Sequence, residues 1–94
     1  MDIKYTYLFD YYGELFTDKQ KEYFEDYYFN NLTLQEIADN NNISRNAVHK
    51  ILKDMIKKLD YYEEKLNLYS NKKKIEIIIK DLDNNIKRKI EELI

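Results

Sequence analysis

The sequence predicts an all-α fold, and three observations lead to that prediction. The chain has 94 residues with no proline and one glycine, which leaves little turn chemistry for a sheet. Apolar residues recur at three- and four-residue steps along most of its length. Thr17 and Thr33 are each followed three positions later by Gln or Glu, the signature of a helix start. We expect one compact domain, because a chain this short can build a single modest core.

Two amphipathic helices are predicted before the central motif. Residues 3–16 place five apolar side chains at helical spacing, namely Leu8, Tyr11, Tyr12, Leu15 and Phe16. A second helix, over about residues 18–29, follows the capping box of Thr17 and Gln20. The tyrosine pairs at 11–12 and 27–28 could stack on bases, but acidic residues surround them. Adjacent helical residues diverge by about 100°, so we expect one tyrosine of each pair to enter the core.

Residues 32–58 have the spacing of a helix-turn-helix unit, with the motif itself over 33–53. Thr33 and Glu36 form a capping box for its first helix. Ser44 is a hydroxyl N-cap, so a second helix is predicted to begin at Arg45.

Small and turn-forming residues separate the two motif helices. Ala38 allows them to cross closely, and one buried side is predicted to carry Ile37, Ile43, Val48 and Ile51. Asn42 stands where such units usually have glycine, and we expect it in the left-handed conformation. Asn41 stands where an apolar residue is usual, so the first motif helix is expected to end at Asn40.

The second motif helix is predicted to continue to about Ser70. Its apolar residues alternate at steps of four and three, which is a heptad seam: Val48, Leu52, Met55, Leu59, Tyr62, Leu66 and Tyr69. Residues 1–58 thus form a helical head and residues 59–94 a C-terminal extension. After a break at Ser70 and Asn71, a last helix carries a second apolar stripe: Ile75, Ile79, Leu82, Ile86, Ile90 and Leu93.

This last helix either folds back on the long helix or packs on a second chain. We expect a homodimer, because two apolar stripes beside a small head leave apolar surface to bury. The predicted dimerisation residues are Leu59, Tyr62, Leu66 and Tyr69.

Positive charge is concentrated on the second motif helix. The formal net charge is −2, and residues 1–43 carry three lysines against nine acidic residues, a balance of −6. Residues 44–58 carry five basic residues against Asp54 alone, a balance of +4. Because local charge steers a polyanion, this segment is a candidate for contact with nucleic acid.

Helix-turn-helix units place the N-terminal end of the second helix in the major groove. The candidate nucleic-acid-binding residues there are Ser44, Arg45, Asn46, His49, Lys50, Lys53 and Lys57. Arg45 and Asn46 suit the edges of guanine and adenine. The serine and the three lysines suit phosphates. The alternative is that these residues solubilise a helix used for protein contact.

Catalysis finds little support in the sequence. His49 is the only histidine, cysteine is absent, and there is no glycine-rich phosphate loop. We therefore predict a protein that is not an enzyme and needs no metal or cofactor. No long uncharged apolar run occurs, which predicts no membrane span, and the absence of cysteine fits a cytoplasmic location.

The order of residues 8–69 resembles the YlxM family of small bacterial helix-turn-helix proteins. The segments that carry the resemblance are FTDKQ at 16–20, the tyrosines at 27 and 28, LQEIA at 34–38, ISRNAV at 43–48 and YEEKLNLY at 62–69. Asn41 and Asn42 depart from it, since the family commonly has an aromatic or aliphatic residue and a glycine there.

The resemblance implies a fold similar to the fourth, promoter-reading region of sigma factors. It also implies a regulatory or accessory role associated with the signal recognition particle. The implied partners are DNA or the particle's RNA, and the particle's GTPase subunit. The implied alternative is an accessory factor that modulates the GTPase subunit by protein contact, without binding DNA.

Overall fold

The computed structural model describes residues 3–94, and no strand occurs within that range. The helices are α1 (Lys4–Tyr12), α2 (Asp18–Tyr28), α3 (Leu34–Asn41), α4 (Arg45–Leu66), α5 (Leu68–Ile78) and α6 (Asn84–Glu91), with a 3₁₀ turn at Gly13–Leu15. The predicted all-α class is therefore confirmed. So is a long second motif helix, since α4 has 22 residues.

The predicted capping boxes are present at the starts of α2 and α3. The Thr17 hydroxyl accepts from the Gln20 N–H at 3.2 Å, and the Gln20 carboxamide oxygen accepts from the Thr17 N–H at 2.9 Å. Thr33 and Glu36 make the same reciprocal pair, with both distances 3.1 Å. Each box satisfies two N–H groups that a helix start leaves without an intrahelical partner.

Asparagine provides the left-handed backbone that this glycine-poor chain requires. Asn31, Asn42 and Asn67 have φ values of 58°, 55° and 55°. The prediction for Asn42 is therefore confirmed. α3 ends at Asn41, one residue after the predicted Asn40, and the Asn41 side chain donates to the Ile37 carbonyl oxygen at 2.7 Å.

The core lies around α4, against which α1, α2 and α3 pack. Its buried residues are Leu8, Phe9, Tyr12, Phe16, Tyr23, Phe24, Ile37, Ala38, Val48, Leu52, Met55 and Leu59. The rings of Phe9 and Phe24 stack with centroids 4.2 Å apart. Of the first tyrosine pair, Tyr12 is buried and Tyr11 half-buried, as predicted. Tyr27 and Tyr28 are both half-buried, so the expected division fails for that pair.

The buried side of α1 differs from the prediction at two positions. Leu15 is 58% exposed and Phe9 is buried. For Leu15 the cause is the change from α-helix to 3₁₀ turn at Gly13, which rotates the following residues relative to a continuous helix. Phe9 is buried because its ring packs on that of Phe24 from α2. Gly13 is required for packing rather than for an unusual φ, since a Cβ there would lie 3.2 Å from the Phe9 ring.

The break after the long helix occurs at Asn67, not at Ser70 and Asn71 as predicted. Tyr12 and Glu63 bind the first N–H groups of α5 and so stabilise a new helix start at that point. The Tyr12 hydroxyl donates to Glu63 Oε1 at 2.7 Å and accepts from the Leu68 N–H at 3.2 Å. The Glu63 carboxylate accepts from the N–H groups of Tyr69 and Ser70 at 3.2 and 3.0 Å.

The segment after the long helix forms two helices rather than the single last helix predicted. α5 packs on α1 and α4, whereas α6 packs closely on none of the other described helices. Residues 79–83 form the turn between them, and Asp83 caps α6 by accepting from the Asn85 N–H at 2.8 Å. The radius of gyration is 16.7 Å, against about 12 Å for a compact domain of this length. The chain is therefore elongated, and its division into a head and a dimerising extension remains a prediction.

Candidate nucleic-acid interface

The helix-turn-helix unit consists of α3, a tight turn and the first half of α4. Ala38 has no exposed surface, which allows the two helices to approach closely. The apolar set predicted for this contact is buried or partly buried: Ile37, Ile43, Val48 and Ile51. In the turn, the N–H groups of Asn42 and Ile43 both donate to the Ala38 carbonyl oxygen. The structure thus contains the helix-turn-helix unit that the sequence predicts.

Ser44 fixes the first residues of α4. Its hydroxyl accepts from the Ala47 N–H at 3.0 Å while its own backbone is extended. The hydroxyl cap leaves the N–H groups of Arg45 and Asn46 at the open end of the helix. These groups add to the positive potential of a helix N-terminus.

The seven predicted contact residues are all exposed on α4 or its cap: Ser44, Arg45, Asn46, His49, Lys50, Lys53 and Lys57. On the helix they recur at three- and four-residue steps, so they share one side of α4. The buried residues Val48, Leu52, Met55 and Leu59 occupy another side and hold this part of α4 against the core. The structure therefore brings the predicted residues together on one solvent-facing surface, which we call the basic face.

Asp54 lowers the positive charge available on the basic face. Its carboxylate lies 2.8 Å from the Lys50 ammonium group. The hydrogen bond from Lys50 is the largest cause that lowers the pKa of Asp54, and nearby Lys57 and Lys53 act in the same direction. The same hydrogen bond raises the pKa of Lys50. Lys50 is thus already paired, whereas no carboxylate within the described residues forms an ion pair with Lys53 or Lys57.

Arg45 borders a shallow cleft formed with the end of α2 and the start of α3. The residues around it include Tyr27, Thr33 and Gln35. Neither Tyr27 nor Gln35 is predicted from the sequence as a contact residue. The known docking of helix-turn-helix units could have indicated them. In that docking the first helix of the unit crosses the nucleic-acid backbone, so residues near its start lie beside the same ligand.

The seam predicted to hold a homodimer is mostly covered within the chain. Leu59 has no exposed surface, because other helices of the same chain pack over this part of α4. Tyr62 is half-buried with its ring centroid 5.9 Å from that of Tyr12, and Tyr69 is also half-buried. Leu66 is 51% exposed. Leu59 is therefore not available to a second chain, which corrects the predicted dimerisation set at that position, and only Leu66 of the four is exposed.

Residues 3–94 contain neither a metal-binding cluster nor a membrane-spanning helix. No group of three or more histidine or acidic side chains in this range is arranged to hold a metal ion. None of the helices described is both long and apolar enough to span a bilayer.

Comparisons with known proteins agree with this geometry. Residues 2–94 match the model of the UPF0122 family, described as "Putative helix-turn-helix protein, YlxM / p13 like". A UPF0122 protein of Malacoplasma penetrans is 44% identical over 92 residues, covering 92% of this chain and 86% of that protein. One from Fusobacterium nucleatum is 42% identical over 88 residues, covering 93% and 85%. The UPF0122 protein YofM of Lactococcus lactis is 52% identical over 64 residues, covering 68% and 58%.

Proposed function

The chain belongs to the UPF0122 family of YlxM/p13-like helix-turn-helix proteins, and on that premise we propose that it binds nucleic acid without catalysing a reaction. The contact is made by the basic face of α4. The observation that carries this proposal is the exposure of all seven candidate residues on one side of a helix whose segment 44–58 has a charge balance of +4. We expect this protein to act in the cytoplasm, where DNA and RNA are accessible to it.

The residues of the basic face have different proposed roles. Arg45 and Asn46, at the end of α4 that enters the groove, contact base edges. Lys53 and Lys57 have no ion pair with the described residues, so they are free to contact phosphates. Ser44 is already used as the N-cap of α4, so its proposed contribution is to hold the helix start beside a phosphate. His49 lies between these groups on the exposed side.

Salt dependence tests the proposal directly. Binding of labelled duplex DNA and of an RNA hairpin is measured by fluorescence anisotropy at about 50 and 200 mM salt. Neutralisation of two phosphates, by Lys53 and Lys57, predicts a slope near −1.8 in log K against log salt, which is a loss of about tenfold between these concentrations. A flat response with both ligands would refute the proposal.

Two substitutions separate the roles of the basic face. Arg45→Ala should relax sequence preference, whereas Lys53→Ala should weaken all sequences alike and reduce the salt slope by about 1. Lys80→Ala is the matched control, because Lys80 is exposed outside the motif and, like Lys53, forms no ion pair with the described residues. Equal losses in Lys80→Ala and Lys53→Ala would assign the binding to general charge rather than to the basic face.

A second candidate function is an accessory role in which the protein contacts the signal recognition particle and modulates its GTPase subunit. The resemblance to the YlxM family suggests it, and the acidic balance of residues 1–43 offers a surface complementary to a basic, RNA-binding partner. The test is a pull-down with the purified GTPase subunit, with and without the particle's RNA. Absence of a complex at tens of micromolar would refute this second function.

We also propose that the protein self-associates through the C-terminal extension, but through a set of residues that keeps only Leu66 of the four predicted from the sequence. Because Leu59 is buried within the chain, the exposed aliphatic residues of the extension that are available to a second copy are Leu66, Leu68, Ile77, Ile78, Leu82, Ile86, Leu93 and Ile94. Light scattering at micromolar concentration distinguishes a monomer from a homodimer. A mass that stays at the 11.6 kDa of one chain would refute a homodimer.

A further inference from the structure

A cleft near the C-terminal end of α4 combines tyrosine rings with lysine side chains. We call it the tyrosine–lysine cleft, and its lining residues come from α1 and α5: Tyr7, Asp10, Tyr11, Tyr69, Lys72, Lys73 and Glu76. α4 has 22 residues, so its two ends are about 33 Å apart. The cleft is therefore separate from the groove-entering end of the basic face, and a ligand in it does not rest on the proposed function.

The aromatic rings of the cleft are arranged around Tyr69. The Tyr69 ring lies edge-on to Tyr7 with centroids 5.7 Å apart, and its centroid is 6.3 Å from that of Tyr11. The Lys73 ammonium lies 5.5 Å from the Tyr69 ring and 6.0 Å from the Tyr7 ring. The Lys72 ammonium lies 5.9 Å from the Tyr11 ring. Cation–π attraction thus favours positions of both ammonium groups beside the rings of the cleft.

The polar groups of these residues are available for a ligand. Among the described residues, no hydrogen bond satisfies the hydroxyls of Tyr7, Tyr11 and Tyr69. Lys72 and Lys73 form no ion pair with any described carboxylate, although Asp10 and Glu76 line the same cleft. By contrast, the neighbouring Tyr12 hydroxyl is fully used within the fold.

In the folded chain, the surroundings of Tyr11 differ from those that its sequence neighbours suggest. The residues around Tyr11 in sequence are acidic, which would repel phosphates. Folding places Lys72 and Lys73, about sixty positions later, against Tyr11 and Tyr7. The local charge beside these rings is thereby changed from acidic to mixed.

We propose that the tyrosine–lysine cleft binds a nucleotide unit, meaning an unpaired base with its adjoining phosphate. Tyrosine faces stack on bases of any sequence. The lysine ammonium groups bind the phosphate, and the carboxylates of Asp10 and Glu76 accept hydrogen bonds from amino groups of the base or hydroxyls of the sugar. A simple anion would leave the rings and carboxylates unused, and a simple cation would meet two lysines.

Stacking is tested with a short labelled oligoadenylate and the full chain, again by anisotropy. Tyr7 is 45% exposed, and Tyr7→Ala should weaken binding about tenfold, whereas Tyr7→Phe should retain it because the ring remains. Tyr61→Ala is the matched control, since Tyr61 is 56% exposed and has the Lys65 ammonium 5.7 Å from its ring, but lies outside the cleft. Circular dichroism spectra confirm that each variant is folded.

The phosphate contact is tested by salt dependence on the same single strand. Lys73→Gln should reduce the salt slope by about 0.7. Lys74→Gln is the matched control, because Lys74 neighbours Lys73 in sequence but does not line the cleft. Titration calorimetry with adenosine monophosphate then identifies the source of the nucleotide: comparable affinity indicates a free mononucleotide, and much weaker affinity indicates a strand.

Several results would overturn this assignment. No binding of either oligoadenylate or the mononucleotide at millimolar concentration would exclude the site, and so would equal losses in Tyr7→Ala and Tyr61→Ala. If Arg45→Ala abolishes oligoadenylate binding and Tyr7→Ala leaves it unchanged, the single strand binds the basic face instead. The two proposals fail separately: a flat salt response with both the duplex DNA and the RNA hairpin removes the proposed function, and oligoadenylate binding that depends on Tyr7 leaves the cleft standing.

Discussion

Replacement of Tyr12 by phenylalanine tests the joint between α4 and α5. The substitution keeps the buried ring and removes only its hydroxyl, which donates to Glu63 and accepts from the Leu68 N–H. A hydrogen bond to a charged group contributes about 1.5–3 kcal/mol, and the Leu68 N–H loses its partner as well. We therefore expect Tyr12→Phe to lower the free energy of unfolding by about 2 kcal/mol.

Urea unfolding followed by far-ultraviolet circular dichroism measures this change. The midpoint should fall with no change in the slope m, because the surface exposed on unfolding stays the same. In thermal unfolding, a loss of that size corresponds to a fall in Tm of about 8–16 °C for a chain of this length. Tyr61→Phe is the control, since Tyr61 is exposed and its hydroxyl has no hydrogen bond with the described residues.

A double-mutant cycle shows whether the loss arises from the contact with Glu63. Tyr12→Phe, Glu63→Gln and the double variant should give a coupling free energy between about 0.5 and 3 kcal/mol, as for residues in direct contact. A loss in Tyr12→Phe below about 0.5 kcal/mol, the usual range for surface changes, would refute the reasoning. Additive losses would show that Tyr12 stabilises the joint through some other group.

Three further predictions follow from particular residues. Burial, followed by the hydrogen bond with Glu63, raises the pKa of Tyr12 to about 12 from 10.0. The neutral form is thus favoured in the folded state, so the stability that this preference contributes is fully present below pH 10 and should be lost as pH rises to about 12. Tyr12→Phe should lack this pH-dependent loss in unfolding experiments. Asn67→Ala should cost about 1 kcal/mol in urea unfolding because of its left-handed φ, whereas Asn67→Gly should not; equal losses would contradict this. Asp54→Asn should release Lys50 and steepen the salt slope of duplex binding by up to about 0.9, and an unchanged slope would show that Lys50 reaches no phosphate.

The helix-turn-helix unit could be predicted from the sequence because its signals are local. A capping box joins residues three positions apart, as in Thr33 with Glu36, and a hydroxyl N-cap such as Ser44 acts within its own turn. Asn42 adopts the left-handed conformation, which asparagine tolerates because its short polar side chain can form local hydrogen bonds. The exposure of the basic face also follows from helical spacing alone, once the start of α4 is known.

The parts that could not be predicted depend on contacts between distant residues. An asparagine inside a heptad pattern is not by itself a helix stop, so Asn67 gives no strong local signal. The helix ends there because the Tyr12 hydroxyl, 51 positions from Glu63, helps to bind the first N–H groups of α5. The tyrosine–lysine cleft likewise requires α5 to lie against α1, which no spacing within either helix can indicate.

The joint at Asn67 also determines where the two candidate surfaces lie. Had α4 continued to Ser70, Tyr69 and Lys73 would have followed its axis away from α1 and its tyrosines. The break at Asn67, held by Tyr12 and Glu63, instead turns α5 so that its first turns pack against α1. The basic face thus begins at one end of α4 and the tyrosine–lysine cleft lies near the other. The helix between them is about 33 Å long, which is close to one turn of a duplex. A ligand that engages both surfaces must therefore present a paired segment and an unpaired nucleotide about one helical turn apart, a combination typical of a structured RNA rather than of continuous duplex DNA.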